Sequence, residues 1–489
     1  MASVAGHEFG DTARAGTNGG RFMTRDPRWL RSAIARAWTP MAALALVSLV
    51  SFGARAAFLG APCRSPCRSA NDHLLIFDED YYVNAARVIA GVRPPAGVPY
   101  VQTPLGDDGN AEHPQLAKLV MAGSIELFGD GPFAWRLGSL LMGSVAILGM
   151  FALVRAAGGG PWLAVGAAAL MAADNLLLVH GRIGTLDIYA VAAMIWGAAL
   201  YLRGRPLLAG AMIGVGACCK LVAPNVLVVL VLLEVLGWVK YRDSLRARLL
   251  SLLECVGVAA GVFLGLLAIL DAVAPPYNDA AHQLVTGGAL HHLGHMISYA
   301  AQQTSPHGPK GIASYPWQWL VDSGWITYLS ISSSHGPGLP GAAHPAVHFL
   351  GLISPPILLA GLIGLILAAF ELFRAMLRRP GNAPQRTTLL SSSTGASAGG
   401  FARNGRRLAP VGMPLLAVAW FLGTYLPFVA LSLIWQRTSY LYYLVIVMPG
   451  IYVGAAYLMG RLHRRWLTAV LAVAVLGGML LPYPLDPFL

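Results

Sequence analysis

Three consecutive carboxylates, Asp78-Glu79-Asp80, stand between Phe77 and the pair Tyr81-Tyr82 in a chain of 489 residues of which only 11% are charged. Adjacent carboxylates repel one another, and beside a membrane they also face a low dielectric. Both effects push their pKa values apart, which suits one of them to take a proton from a hydroxyl group. A solvated acidic loop would carry the same residues. The flanking aromatics and further charged motifs favour a site.

Those motifs follow in order. Glu112-His113-Pro114-Gln115-Leu116-Ala117-Lys118-Leu119 reads as a helix initiated by proline, whose fixed φ is pre-organised for a first turn. Gly131-Pro132-Phe133-Ala134-Trp135-Arg136 opens an apolar helix with a cation at its unfavourable dipole end. An anionic ligand would account for Arg136, and so would an arginine reaching the lipid headgroups. In His180-Gly181-Arg182-Ile183-Gly184-Thr185-Leu186-Asp187 the two charges could pair with each other, yet a carboxylate at the membrane rim is a functional candidate. Lys220 lies in an apolar stretch and needs a partner there. His291, His292 and His295 include a pair four residues apart, a zinc-like spacing without carboxylate or cysteine close by, so a surface helix is the plainer reading. Trp317 and Trp319 could stack on a sugar or a peptide, or belong to an interfacial aromatic belt. Cys63 and Cys67 are spaced for a disulfide in an oxidising loop, whereas Cys218, Cys219 and Cys255 read as apolar packing.

The elements that position these groups are membrane helices. The chain is 56% hydrophobic, with a mean hydropathy of +0.60. Long apolar runs recur from Pro40 onward, so the fold class is an all-α polytopic membrane protein, since helices alone satisfy the backbone of such segments in lipid. Eleven spans are expected near 40–58, 133–154, 162–180, 186–202, 207–223, 225–239, 250–272, 346–373, 410–434, 439–459 and 466–482. Residues 1–39 form a basic tail, too long and too charged for a simple cleaved signal. The segment 40–272 is the catalytic core with a first outer loop, 59–132, in which 78–92 reads as a surface-lying helix. A second outer loop, 273–345, precedes a C-terminal membrane region, 346–489, with a Ser-, Gly- and Arg-rich loop at 378–409 that reads as disordered. The net charge of +12 could suit nucleic acid, but its distribution argues for a membrane. With the N-terminus inside, 23 of the 34 Lys and Arg are cytoplasmic, which places Asp78 on the outer face of a plasma membrane. No internal repeat is visible, which weakens an inverted-repeat transporter.

Taken in order, Phe77-Asp78-Glu79 with Tyr82, His113-Pro114 with Leu116 and Lys118, Pro132-Phe133 with Arg136, Arg182 with Leu186-Asp187, and Lys220 resemble the protein O-mannosyltransferases, polytopic enzymes of the GT-C glycosyltransferase class. Ser314-Tyr315-Pro316-Trp317-Gln318-Trp319 is similar to that family's Pro- and Trp-rich outer loop, and Thr438-Ser439-Tyr440-Leu441-Tyr442-Tyr443 with Pro449 to its C-terminal spans. Gln115 stands where the family usually has a second proline. The second outer loop is too short for the lumenal β-trefoil of eukaryotic members, so the chain looks like a bacterial form.

The resemblance implies a GT-C fold and a polyprenyl-phosphate-mannose donor. It implies transfer with inversion to Ser or Thr hydroxyls of exported proteins, met at the secretion translocon. It places the catalytic carboxylate on Asp78, with Glu79 organising the site together with Arg136. Arg136, Arg182 and Lys118 are then candidate cations for the donor phosphate, and His113, Asp187 and Tyr82 further substrate contacts. Trp317 and Trp319 are the candidate sugar or acceptor contacts. No bound cofactor and no metal ligands are expected, and a divalent-metal requirement stays open. Two other functions fit the same residues: a GT-C transferase with a glycan or lipid acceptor, and a transporter using Asp78, Asp187 and Lys220 along a pathway.

The topology is testable by cysteine-accessibility labelling. Asp107→Cys is expected to react from outside and Gly395→Cys from inside, each read against the unsubstituted chain. Labelling of both from one side would overturn the span count.

Overall fold

The computed structural model describes residues 27–63, 69–241, 244–331, 346–377, 411–462 and 465–486. The chain forms two compact units, Met1–Ala42 and Ala43–Leu489. The second carries everything discussed below. Helix α1 (Pro27–Ala56) leads into a connecting segment holding α2 (Glu79–Ile89) and α3 (Leu116–Phe128). A helical array follows: α4 (Pro132–Ala156), α5 (Pro161–Ala173), α6 (Asn175–His180), α7 (Asp187–Leu202), α8 (Pro206–Cys219), α9 (Asn225–Tyr241) and α10 (Leu245–Val273). A second connecting segment contains strands β1 (Tyr277–Asn278) and β2 (Gln283–Leu284), helices α11 (Ala289–Gln302) and α12 (Pro316–Trp319), and strands β3 (Ile326–Ile331) and β4 (Ala346–Gly351). Helices α13 (Pro355–Leu377), α14 (Met413–Trp435), α15 (Met448–Arg461) and α16 (Arg465–Leu480) close the chain, followed by β5 (Leu485–Asp486).

Prolines set many of the starts. Pro132, Pro161 and Pro206 occupy the first positions of α4, α5 and α8, where the missing N–H costs nothing. Among the described residues, five helices are long and apolar enough to cross a bilayer: Thr39–Ala56 of α1, α4, α10, α13 and α14. The other segments read as spans form helices of 13–17 residues, below the roughly 20 that a perpendicular crossing takes.

Four expectations need correction. The fold is mostly helical rather than all-α, because β3, β4 and β5 form a three-stranded antiparallel sheet in order β3-β4-β5, with an irregularity between Thr327 and Leu329. The span read from residue 346 begins as strand β4, and its helix starts only at Pro355, after which a second proline follows. The span read as 162–180 breaks at Asp174, whose carboxylate accepts from Ser354 N at 2.9 Å and from the Tyr452 hydroxyl at 2.8 Å. The helix expected to start at Pro114 starts at Leu116. Cys63 is disulfide-bonded and Cys218, Cys219 and Cys255 are free. Cys67 and the 378–409 loop lie outside the described residues.

Small residues bring the helices together. A Cβ on Gly364 of α13 would lie 1.9 Å from the Gly454 carbonyl oxygen of α15, and one on Gly361 2.3 Å from Ile451. A Cβ on Gly210 of α8 would lie 2.3 Å from the Cys255 carbonyl oxygen of α10. Such close seams are how apolar helices gain packing contacts where lipid offers no hydrophobic drive.

Gly364→Ala therefore forces α13 and α15 apart. It is expected to cost about 1–3 kcal/mol, the range for overpacking, read as a lowered melting temperature of the detergent-purified protein. An unchanged melting temperature would count against the seam.

Candidate active site

The Glu79 side chain is fully buried at the first residue of α2, and four donors converge on it. Arg136 donates from Nε to Oε1 at 2.7 Å and from an Nη to Oε2 at 2.7 Å, a two-pronged pair. The backbone N–H groups of Gly184 and Ile76 donate to the same oxygens at 2.7 and 2.8 Å. The rest of the Arg136 guanidinium is taken by the carbonyls of Leu59, Ala61 and Leu74. Glu79 thus joins the end of the α1 connection, the start of α4 and the α6–α7 turn.

Asp78, one residue earlier, does something different. It lines a cavity of about 970 Å³ together with Tyr82, His113, Lys220 and Arg437. Among the described residues, no group hydrogen-bonds its carboxylate. Burial pushes that carboxyl up to about 7; the Lys220 ammonium opposes the rise and Asp187 adds to it. Phe77, just before it, holds φ at 56°, a left-handed conformation that costs a non-glycine residue energy and is kept only where its surroundings enforce it. Here they do: the Phe77 ring stacks on Tyr328 of β3 at 4.1 Å and meets Tyr442 edge-on at 5.4 Å. Tyr328 is in turn 3.0 Å from His180 Nε2.

Two cations face the cavity. Lys220, just past α8, donates to Asp187 at the start of α7 at 2.7 Å and sits 5.6 Å from the Tyr442 ring. Arg437, just past α14, donates to the Ala300 carbonyl and follows Gln436, itself at φ 49°. His113 is edge-on to Tyr82 at 5.7 Å, and burial holds its imidazole down at about 3, so the ring is neutral.

The sequence-predicted residues divide accordingly. Asp78, Tyr82 and His113 meet on the cavity, and Asp187 stands behind Lys220. Arg182 does not pair with Asp187. It is buried against the Phe349 ring and donates to the Phe58 carbonyl. Lys118, expected on the phosphate, is buried and spends its ammonium on Asp108, on the Asn110 carbonyl at 2.6 Å and on the His113 carbonyl at 2.9 Å. Arg136 is likewise filled by Glu79 and carbonyls, so none of these three reaches the cavity. Glu79, with both oxygens taken by donors, does not line the cavity. Trp319 is buried, with its N–H on Ser314 Oγ at 2.9 Å, and Trp317 stacks on Tyr315 at 4.5 Å; neither lines the cavity. His292 lies buried between Asp271 and the Ala111 carbonyl, and among the described residues no three His, Cys, Asp or Glu are grouped to hold a metal ion.

Sequence reasoning missed Arg437 as a site residue, together with the wall formed by Tyr440, Tyr442 and Tyr443 and by α11. The signal for Arg437 was the one applied to Lys220: a lone cation at the end of an apolar helix.

Breaking the Glu79–Arg136 pair leaves a buried charge uncompensated, which typically costs about 3–5 kcal/mol. Glu79→Gln is expected to lose folded protein or most of its thermal stability. Arg136→Lys is not expected to restore it, since an ammonium cannot reproduce the planar fork. Wild-type stability in Glu79→Gln would show that the pair is not the anchor.

Comparison with known proteins finds similar sequences and folds. Residues 112–267 match the family described as dolichyl-phosphate-mannose-protein mannosyltransferase. The chain is 34% identical over 118 residues to a polyprenol-phosphate-mannose–protein mannosyltransferase of Corynebacterium glutamicum, a match that takes in 24% of this chain and 22% of that protein. The fold is similar to the S. cerevisiae protein O-mannosyltransferase Pmt1-Pmt2 complex bound to the sugar donor, with TM-score 0.63 and 11% identity over 91% of this chain and 89% of that one. It is also similar to the Archaeoglobus fulgidus oligosaccharyltransferase AglB in complex with an inhibitory peptide and a dolichol-phosphate, with TM-score 0.50 and 12% identity over 92% and 56%. Residues 112–267 are thus similar to the dolichyl-phosphate-mannose-protein mannosyltransferase family, and the fold is similar to that of a protein O-mannosyltransferase complex.

Proposed function

We propose that the chain transfers mannose from a polyprenyl-phosphate-mannose donor to a Ser or Thr hydroxyl of an exported protein, with inversion at the anomeric carbon. The observation that carries this reading is the placement of Asp78, an unpaired carboxylate beside two cations in one cavity. The hydroxyl proton passes to Asp78 as the hydroxyl oxygen bonds to the anomeric carbon. The bond from that carbon to the phosphate oxygen breaks, and the lipid phosphate leaves with the electron pair. In-line attack from the face opposite the phosphate inverts the centre.

A leaving phosphate needs positive charge that is already in place. Since Arg136, Arg182 and Lys118 are engaged elsewhere, this falls to Arg437 and Lys220. Arg437 keeps donors free beyond its bond to Ala300. Lys220 supplies charge while its bond to Asp187 fixes its position. The neutral His113 and the Tyr82 hydroxyl suit hydrogen bonds to sugar hydroxyls. The same reading has eleven crossings, the N-terminus inside and the cavity on the outer face. Both acceptor and donor then reach the cavity without crossing the bilayer.

The assay is transfer from polyprenyl-phosphate mannose to a Ser/Thr-rich peptide in membranes. Asp78→Asn keeps the shape and removes the base, so a loss of about 10²–10⁴-fold is expected. The working form is the carboxylate, and its pKa is raised to about 7. Activity should therefore climb with pH up to about 7 and level off above it. Near-normal turnover in Asp78→Asn would unseat the base. Transfer to a lipid or glycan but not to peptide would favour the other acceptor class.

A further inference from the structure

We infer that His292, clamped between Asp271 and the Ala111 carbonyl, is a positioning residue that sets the α11 wall of the cavity and, through it, the aim of Arg437. The inference rests on the donor-phosphate role given to Arg437 above.

His292 lies near the start of α11 and is fully buried. Its Nδ1 is 2.7 Å from Oδ1 of Asp271, at the end of α10, and its Nε2 is 3.0 Å from the Ala111 carbonyl oxygen in the first connecting segment. Both partners are acceptors. The two ring nitrogens thus each meet an acceptor, on two different segments of the chain. The same Oδ1 also accepts from Gln115 Nε2, at the N-cap of α3, at 2.7 Å. One carboxylate thus gathers α3, α10 and α11.

The consequence lies further along α11. On a helix, residues four and eight positions on share a face. Met296 and Ala300 stand at those offsets from His292, and both line the cavity. The Ala300 carbonyl accepts from the Arg437 guanidinium. Just beyond the helix the contact continues: Thr438 N donates to the Gln303 carbonyl at 2.9 Å, and Ser305 N to the Gln436 carbonyl at 2.8 Å. Rotation of α11 about its axis would therefore carry Arg437 with it. The other jaw of the clamp is equally placed, because Ala111 lies between Asn110 and Glu112, which line the same cavity. His292 touches no substrate. It fixes the width between two walls.

The test is a kinetic split in membranes with His292→Ala, His292→Gln and Asp271→Asn, each normalised to folded protein, with Gly364→Ala as a control for general loss of stability. The expected result is a rise of about tenfold in KM for polyprenyl-phosphate mannose with kcat within about threefold. His292→Gln, which can keep one of the two bonds, should fall between His292→Ala and wild type. The double variant His292→Ala/Asp271→Asn should be no worse than the worse single, because both act through one contact. Gly364→Ala should lower stability without moving the donor KM. An inactive wild type would overturn the function reading and the clamp together. An active wild type with an unchanged donor KM in the folded variants would overturn the clamp alone. A KM rise of the same size in Gly364→Ala, or failure of all three clamp variants to fold, would make the clamp a folding element and likewise overturn it.

Discussion

The Glu79–Arg136 pair is the constraint on which the rest of the site depends. A carboxylate fully removed from water is tolerated only when its charge is neutralised and its lone pairs are filled. Here one guanidinium and two backbone amides do this from three separate parts of the chain. Because Glu79 cannot shift without exposing an unpaired charge, the residue before it cannot shift either. Asp78 is delivered to the cavity by the fixed position of its neighbour, and the strained φ of Phe77 is the local cost of making that turn.

The two neighbouring acids illustrate how environment divides labour between like groups. Glu79 is surrounded by donors and serves as structure. Asp78 meets the cavity with no hydrogen-bond partner among the described residues, so burial raises its pKa toward a value useful for proton transfer. Charge repulsion between adjacent side chains, the basis for suspecting this stretch, contributes less than the difference in what each side chain faces. The same logic sorts the cations. Arg136, Arg182 and Lys118 are saturated by carbonyls and carboxylates, whereas Arg437 retains unspent donors.

The two connecting segments contribute walls of the cavity. Tyr328 of β3 stacks on Phe77 and approaches His180, so the small sheet reaches the residue next to Asp78. The α11 wall is tied to α10 and to the first connecting segment through His292. A substrate-sized space in a membrane protein needs walls that hold without water to fill the gaps, and buried polar clamps give such walls a single arrangement.

The sequence by itself determined the class of molecule, the order of the charged motifs and the acidic stretch that holds Asp78. These were legible because they depend on local signals: apolar runs of membrane length, prolines at helix starts, and a rare cluster of charge in an apolar chain. Only the resemblance to a known family singled out Asp78 as the base and associated Glu79 with Arg136. What the sequence could not decide was which cations are free. Lys220 and Asp187 are 33 residues apart, Arg437 and Ala300 are 137 apart, and His292 and Ala111 are 181 apart. Whether a buried arginine meets a ligand or a backbone carbonyl depends on which distant segment packs over it, and no local pattern records that. The strands at 326–351 were hidden for a related reason. An apolar run such as Ala346–Gly351 suits strand or helix equally, and pairing with β3 settles it only once the chain has folded.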